Sequence, residues 1–201
     1  MRKILLLLSI ILCTISCKPG KNPDPEEIKP APSQPAYKVG DLYESNGIKG
    51  LIFKLNEDKV SGLIVSLEQP QTQLPWSSDL VVIGATSRTN GAENMAVIES
   101  IADWQSKYPA FVWCKSLGDG WYIPSVNELK ELLFIGSSNT FKQAIAANKA
   151  AFFTSGKYLS STEMDQYWIY LVDYNTCIES GNYKQYTYYV RAIRAFYYVV
   201  T

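Results

Sequence analysis

The chain opens with an apolar run, Ile4 to Leu12, broken only by Ser9 and preceded by Arg2 and Lys3. A positive start followed by so short a run has the layout of a secretory signal peptide; a membrane span needs about 20 residues. Beyond Ala36 the pattern becomes that of a folded domain. Leu42-Tyr43, then 50–55 (GLIFKL) and 60–67 (VSGLIVSL), flank Asn46-Gly47 and the polar stretch 56–59. That arrangement predicts short strands joined by hairpin turns. Residues 69–80 read as a polar loop with two prolines and Trp76, and Val81-Val82-Ile83 as a short strand or a buried turn.

The period then becomes helical. Residues 92–108 place Met95, Ile98, Ile101 and Gln105 along one stripe, and Pro109 is expected to end that helix or start the next. Residues 111–117 form a second short helical segment carrying Cys114, stopped by Gly118-Asp119-Gly120. Ser125 and Glu128 have the spacing of a capping box ahead of Leu129, Leu132 and Leu133, with Gly136 expected to end the helix. Residues 139–149 predict one more short helix. Ten of the fourteen tyrosines lie from Tyr158 onward, which suits half-buried strands. Strands are expected over 167–174 and 186–200, with 175–185 as a polar connection and the last run central in its sheet.

The opening run ends in Thr14-Ile15-Ser16-Cys17, which resembles a bacterial lipobox. The implied protein is cut before Cys17 and held to a membrane by lipid on that cysteine, several acyl chains giving stable anchoring. Lys18 at the next position favours the outer membrane; which face the domain occupies stays open. Residues 18–36 carry six of the ten prolines and read as an extended spacer, leaving 37–201 as one domain.

The first 16 residues hold two basic and no acidic side chains, so 17 Lys and Arg face 19 Asp and Glu in the remainder, a net charge of −2. Nucleic acid is not an expected partner. The chain has no histidine, which excludes a His-based triad or a His-containing zinc site. No metal or cofactor is expected. Cys114 and Cys177 either form a disulfide, which an exported compartment permits, or are two separate buried thiols.

Three ordered motifs carry a resemblance. Cys114-Lys-Ser-Leu-Gly-Asp-Gly-Trp-Tyr-Ile-Pro-Ser-Val-Asn-Glu-Leu, Tyr158-Leu-Ser-Ser-Thr-Glu and Tyr189-Val-Arg-Ala-Ile-Arg resemble the DUF1566 (Lcl C-terminal) family of Bacteroidota lipoproteins. The likeness spans about residues 90–196 and departs from the family at Tyr122, Ser125 and Leu159, where Arg, Thr and Trp are usual. It implies an α+β, C-type lectin-like fold, with short helices packed on a twisted, mainly antiparallel sheet. Most of its motif residues have a structural reading. Trp121 and Pro124 would set the start of the helix that Ser125 and Glu128 cap, and Ser160, Ser161, Thr162 and Glu163 would tie a loop into the sheet. At spacing three, Arg191 and Arg194 point to opposite faces of a regular strand, and one is expected to pair with Glu163 or Glu128.

Trp76, Tyr122 and Trp168 are the candidates for ligand contact, with Trp121 and the late tyrosines as further aromatic supply, because exposed aromatics stack on sugars or anchor interfaces. The expected function is a non-catalytic envelope module binding a glycan or a protein. The alternatives are a purely structural envelope component and, less favoured, a carboxylate-based hydrolase using two of Glu128, Glu163, Asp165 and Asp173. A fold likeness does not by itself carry a function.

Overall fold

The computed structural model describes residues 37–198. The signal run, Cys17 and the proline-rich spacer lie outside the described residues. The first strands follow the hydrophobic pattern: β1 (Leu42–Ser45), β2 (Ile48–Leu55) and β3 (Ser61–Ser66) form an antiparallel meander. Asn46 and Gly47 take φ of 51° and 78° in the two-residue turn between β1 and β2, the positive values that Asn-Gly tolerates. After β4 (Leu74–Pro75) come α1 (Gly91–Glu99), α2 (Trp104–Lys107), α3 (Pro109–Ser116), α4 (Val126–Ser137) and α5 (Asn139–Ala147). The chain returns to strands with β5 (Lys157–Glu163), β6 (Trp168–Asp173), β7 (Glu179–Tyr183), β8 (Thr187–Tyr188) and β9 (Ile193–Tyr197).

The architecture is α+β, with helices packed against antiparallel sheets. The strands divide among three sheets, ordered β1-β2-β3-β9, β4-β8 and β5-β6-β7. Helices α1 and α4 pack on β5, α4 also meets β2 and β6, and α3 meets β4. A shared core joins these elements, from Leu51, Ile52 and Ile64 through Leu129 and Leu132 to Leu159, Ile169 and Leu171.

Several expected boundaries move. The helix foreseen over 92–108 breaks after Glu99, because Asp103 adopts φ 57° and redirects the chain so that Trp104 turns inward, 7% exposed. Gly136 lies inside α4 and does not end it. A Cβ there would sit 2.7 Å from the Phe153 ring, so the glycine admits an aromatic side chain against the helix. Residues 81–83 form no strand, and Val81 and Val82 are exposed. The polar connection 175–185 contains β7. The terminal run divides into β8 and β9 because Val190, Arg191 and Ala192 are buried in succession, a covered crossing in place of an alternating strand. Strand β9 is the outer strand of its sheet, not a central one.

Cys114 is buried in α3, and Cys177 is half-buried between β6 and β7; both are free, so the bridge considered between them is not formed. Burial pushes both thiols above their ordinary range.

Tyr108, Tyr122, Tyr158 and Tyr188 are all buried. Burial raises each phenol, Tyr188 to about 12, and at Tyr122 the adjacent Glu128 adds to the effect. A folded-state pKa above the unfolded value of 10.0 means that the stabilisation is fully present below pH 10 and fades above it. The thermal midpoint should therefore stay nearly flat across about pH 7–9 and fall steeply above about pH 10. Phenolate absorbance from the buried rings should rise together with loss of structure. A smooth titration of every tyrosine near pH 10, with the fold intact, would contradict the burial pattern.

Candidate functional site

Strand β5 is irregular where its motif falls: the register with β6 shifts between Leu159 and Glu163. The bulge sends four consecutive polar side chains inward, and each meets a partner. Ser160 Oγ donates to the Tyr170 carbonyl (2.8 Å) and accepts from the Thr162 amide. Ser161 Oγ accepts from Asn94 Nδ2 at 3.0 Å. Thr162 Oγ1 accepts from the Val126 amide and donates to the Ser87 carbonyl. All four residues of the motif are at most 3% exposed.

Glu163 closes this row. Its carboxylate accepts from the Ile83 and Gly84 amides and from Lys184 Nζ at 2.5 Å. Both side chains of the ion pair are buried, at 0% and 1% exposure. Lys184 Nζ also donates to the Val81 carbonyl (2.7 Å) and lies 5.0 Å from the Trp76 ring centre. Three segments thus converge on one buried pair: the loop 76–86, the end of β5 and the β7–β8 turn. Burying the two charges is costly, and the pair survives because almost every polar atom around it is satisfied.

Glu128 makes a second latch. Its Oε2 accepts from the Gly91 amide, the Ser125 amide and Ser125 Oγ, at 2.7–2.9 Å, while Oε1 accepts from the Tyr122 hydroxyl at 3.2 Å. The capping box is formed, and the same carboxylate also reaches the first turn of α1, placing negative charge at two helix N-termini. Trp121 and Pro124 are buried beside it.

The arginines do not pair with these glutamates. Arg191 precedes β9, is 1% exposed, and bridges two carbonyls: Nη1 donates to Ala151 and Nη2 to Ser66, with the Phe153 ring centre 4.6 Å away. Burial draws its pKa down to about 10. Arg194 is half-buried on β9 and donates to the Asp119 carbonyl. The expected carboxylate partner fails because Glu163 is already filled by Lys184, a residue type that is seldom fully buried.

The hydrolase candidates are occupied too. Glu128 and Glu163 spend their oxygens inside the fold. Asp165 Oδ1 accepts from the Tyr167 and Trp168 amides, and Asp173 Oδ1 from those of Asn175 and Thr176, so both serve local turns. Among the described residues no group of three or more His, Cys, Asp or Glu is placed to hold a metal ion, and no helix is long and apolar enough to cross a membrane.

Of the three aromatics singled out, Trp76 and Tyr122 are core residues. Trp76 is 0% exposed and meets Tyr108 and Phe111 edge-on; Tyr122 is held against Glu128. Both are therefore withdrawn from any surface ligand. Trp168 stands at the surface, 37% exposed, its backbone set by the Asp165 turn. Its ring lies over Gly181, where a Cβ would come 2.7 Å from the indole, with Met164 alongside. Tyr183 follows at 5.5 Å and Tyr186 at a further 5.5 Å. Met164, Tyr167, Tyr183 and Tyr186 are all exposed, as are Val81 and Val82 on the loop that Lys184 holds. The ion pair is the foundation of this aromatic and apolar face.

The face borders an open strand edge. The Lys184 amide donates to the Tyr167 carbonyl and the Asp173 amide to the Ile178 carbonyl, so the even-numbered residues of β7 hydrogen-bond towards β6. By the alternation of an antiparallel ladder, Glu179 and Gly181 turn their amides and carbonyls outward. No strand among the described residues pairs with that side of β7. Glu179 is flanked by Arg88 at 2.7 Å and Lys130 at 3.3 Å, and Arg88 lies over Tyr170, 4.4 Å from the ring centre. Of this site, the sequence singles out Trp168 individually and the late tyrosines only as a group. Tyr183 and Tyr186, bracketing a lysine inside an otherwise polar connection, were the available signal.

No known family model matches the chain, and neither does any curated protein. Among solved structures, a fimbrial protein from Bacteroides ovatus is similar, with a TM-score of 0.48 and 21% identity. The likeness covers 67% of this chain and 36% of that one, so the matched part is about a third of that protein's length.

Proposed function

We propose that this chain is a non-catalytic module of the cell envelope, held to a membrane by lipid on Cys17, whose aromatic face binds another protein. The observation that carries the reading is the cluster Met164, Trp168, Tyr183 and Tyr186, exposed together beside the unpaired edge of β7. Interfaces are rich in Trp, Tyr and Met, and a free strand edge can accept an extended segment through main-chain hydrogen bonds. The ionic row Arg88–Glu179–Lys130 at the far end of the edge would set the register of such a segment. A C-type lectin-like, DUF1566-type identity belongs to the same proposal. It draws support from the three ordered motifs and from the packing of helices against antiparallel sheets.

The test is a photo-crosslinking side chain placed at Tyr186 in cells carrying the full chain. A discrete protein adduct is expected, weakened by about 30-fold or more in affinity when Trp168→Ala is added, the size of an interface hot spot. Trp168→Ala should leave the thermal midpoint within a few degrees of the parent. Adducts no stronger than those from a crosslinker at exposed Lys142 would end this reading.

A further inference from the structure

We propose a second, separate binding site: a groove for a neutral oligosaccharide between the segment 66–72 and helix α3 with the turn that follows it. Two clefts of about 540 and 610 Å³ lie there and share Glu68. One runs past Trp121 and Arg194 at the end of α3, the other past Trp113 and Pro109 at its middle and start. A cleft of this extent suits a chain of several sugars better than a single one.

The chemistry of the walls selects the ligand. Gln69, Gln71 and Thr72 on one side, and Gln105 opposite, make no side-chain hydrogen bond to any described residue, and the backbone of 69–73 makes none either. Gln71, Thr72 and Gln105 are exposed, so their amide and hydroxyl groups are open to a ligand lying in the cleft. Amides that donate and accept together match hydroxyl groups, which do the same. The half-buried Trp113 supplies an apolar ring on which the C–H face of a sugar can rest.

Charge argues for a neutral sugar. The groove's cations are already engaged: Lys49 with Glu44 at 2.6 Å, and Arg194 with the Asp119 carbonyl. Asp119 is balanced by Lys115 at 3.2 Å. Glu68 makes no ion pair among the described residues, and it stands where the two clefts meet. An anionic sugar would be repelled there, while hydroxyls could donate to it.

The full chain should be titrated with cellohexaose, mannohexaose and chitohexaose, an oligogalacturonate of equal length, and a proline-rich peptide, followed by tryptophan emission and calorimetry. Saturable binding of at least one neutral hexasaccharide is expected, in preference to the acidic one. The double variant Gln71→Ala with Gln105→Ala should weaken it about ten-fold or more, equivalent to about 1.4 kcal/mol, with the thermal midpoint unchanged. Trp168→Ala should leave sugar binding intact, which separates this groove from the aromatic face. The inference is overturned if no neutral hexasaccharide binds, if the acidic sugar or the peptide binds better, if the glutamine variant binds like the parent, or if Trp168→Ala removes binding.

Discussion

Glu163→Gln should cost about 3–5 kcal/mol of stability, enough to unfold a large fraction of a domain whose total is about 5–15 kcal/mol. The substitution keeps the size of the side chain and removes one acceptor. In the parent, one carboxylate oxygen faces Lys184 Nζ and the other faces the Gly84 amide at 2.6 Å, with Ile83 shared between them. An amide must turn its NH₂ towards one of these donors, so either Lys184 or the 83–84 backbone is left facing hydrogen with hydrogen. At 0% exposure Lys184 cannot swing to water. Lys184→Met should cost less, because Glu163 keeps its two backbone donors. The double variant should be less destabilised than Glu163→Gln alone, since the repelled ammonium is gone. Denaturant unfolding of the four proteins checks this. Strictly additive losses would show that the pair does not interact.

Glu128 supplies the contrasting result. Glu128→Ala should cost about 3 kcal/mol, because it orphans the Gly91 and Ser125 amides and the Tyr122 hydroxyl inside the fold. Glu128→Gln should cost only about 1 kcal/mol. Its remaining oxygen can take the position of Oε2, where three donors converge, and its NH₂ can face a tyrosine hydroxyl that is able to accept. The same Glu→Gln change is thus severe at one motif residue and mild at the other. Equal losses at the two sites would overturn the reading of both networks. The difference lies in the partners: Lys184 can only donate, whereas a phenol can do either.

That pair also shows where legibility ended. The role of Glu128 was readable, because a capping box is a local pattern with fixed spacing, as is the Asn46-Gly47 turn. The structural character of the Ser160–Glu163 row was anticipated from its motif, but the identity of its partners was not. Lys184 lies 21 positions from Glu163, inside a stretch that alternates too weakly to announce β7. One of Arg191 and Arg194 is expected from the motifs to pair with Glu163 or Glu128, and neither does; Arg191 is the buried one. In the fold it satisfies two carbonyls, from Ser66 and Ala151, that are distant in sequence. Trp76 and Trp168 are both candidates for ligand contact by residue type. One is sealed between Tyr108, Phe111 and Lys184, and the other is left on the surface by the Asp165 turn.

By itself the sequence determined the early hairpins and the helix starts, because strand alternation, helical period and capping act over a few residues, and the α+β class followed from the three-motif resemblance. The same local reading leads to the expectation of a lipid-tethered, histidine-free module. The tertiary structure alone decided which charges are buried together, which strand keeps an open edge, and which aromatics face solvent. Those properties depend on segments from 76 to 86, 157 to 168 and 179 to 186 meeting in space. Burial belongs to such a meeting, and no residue carries it alone.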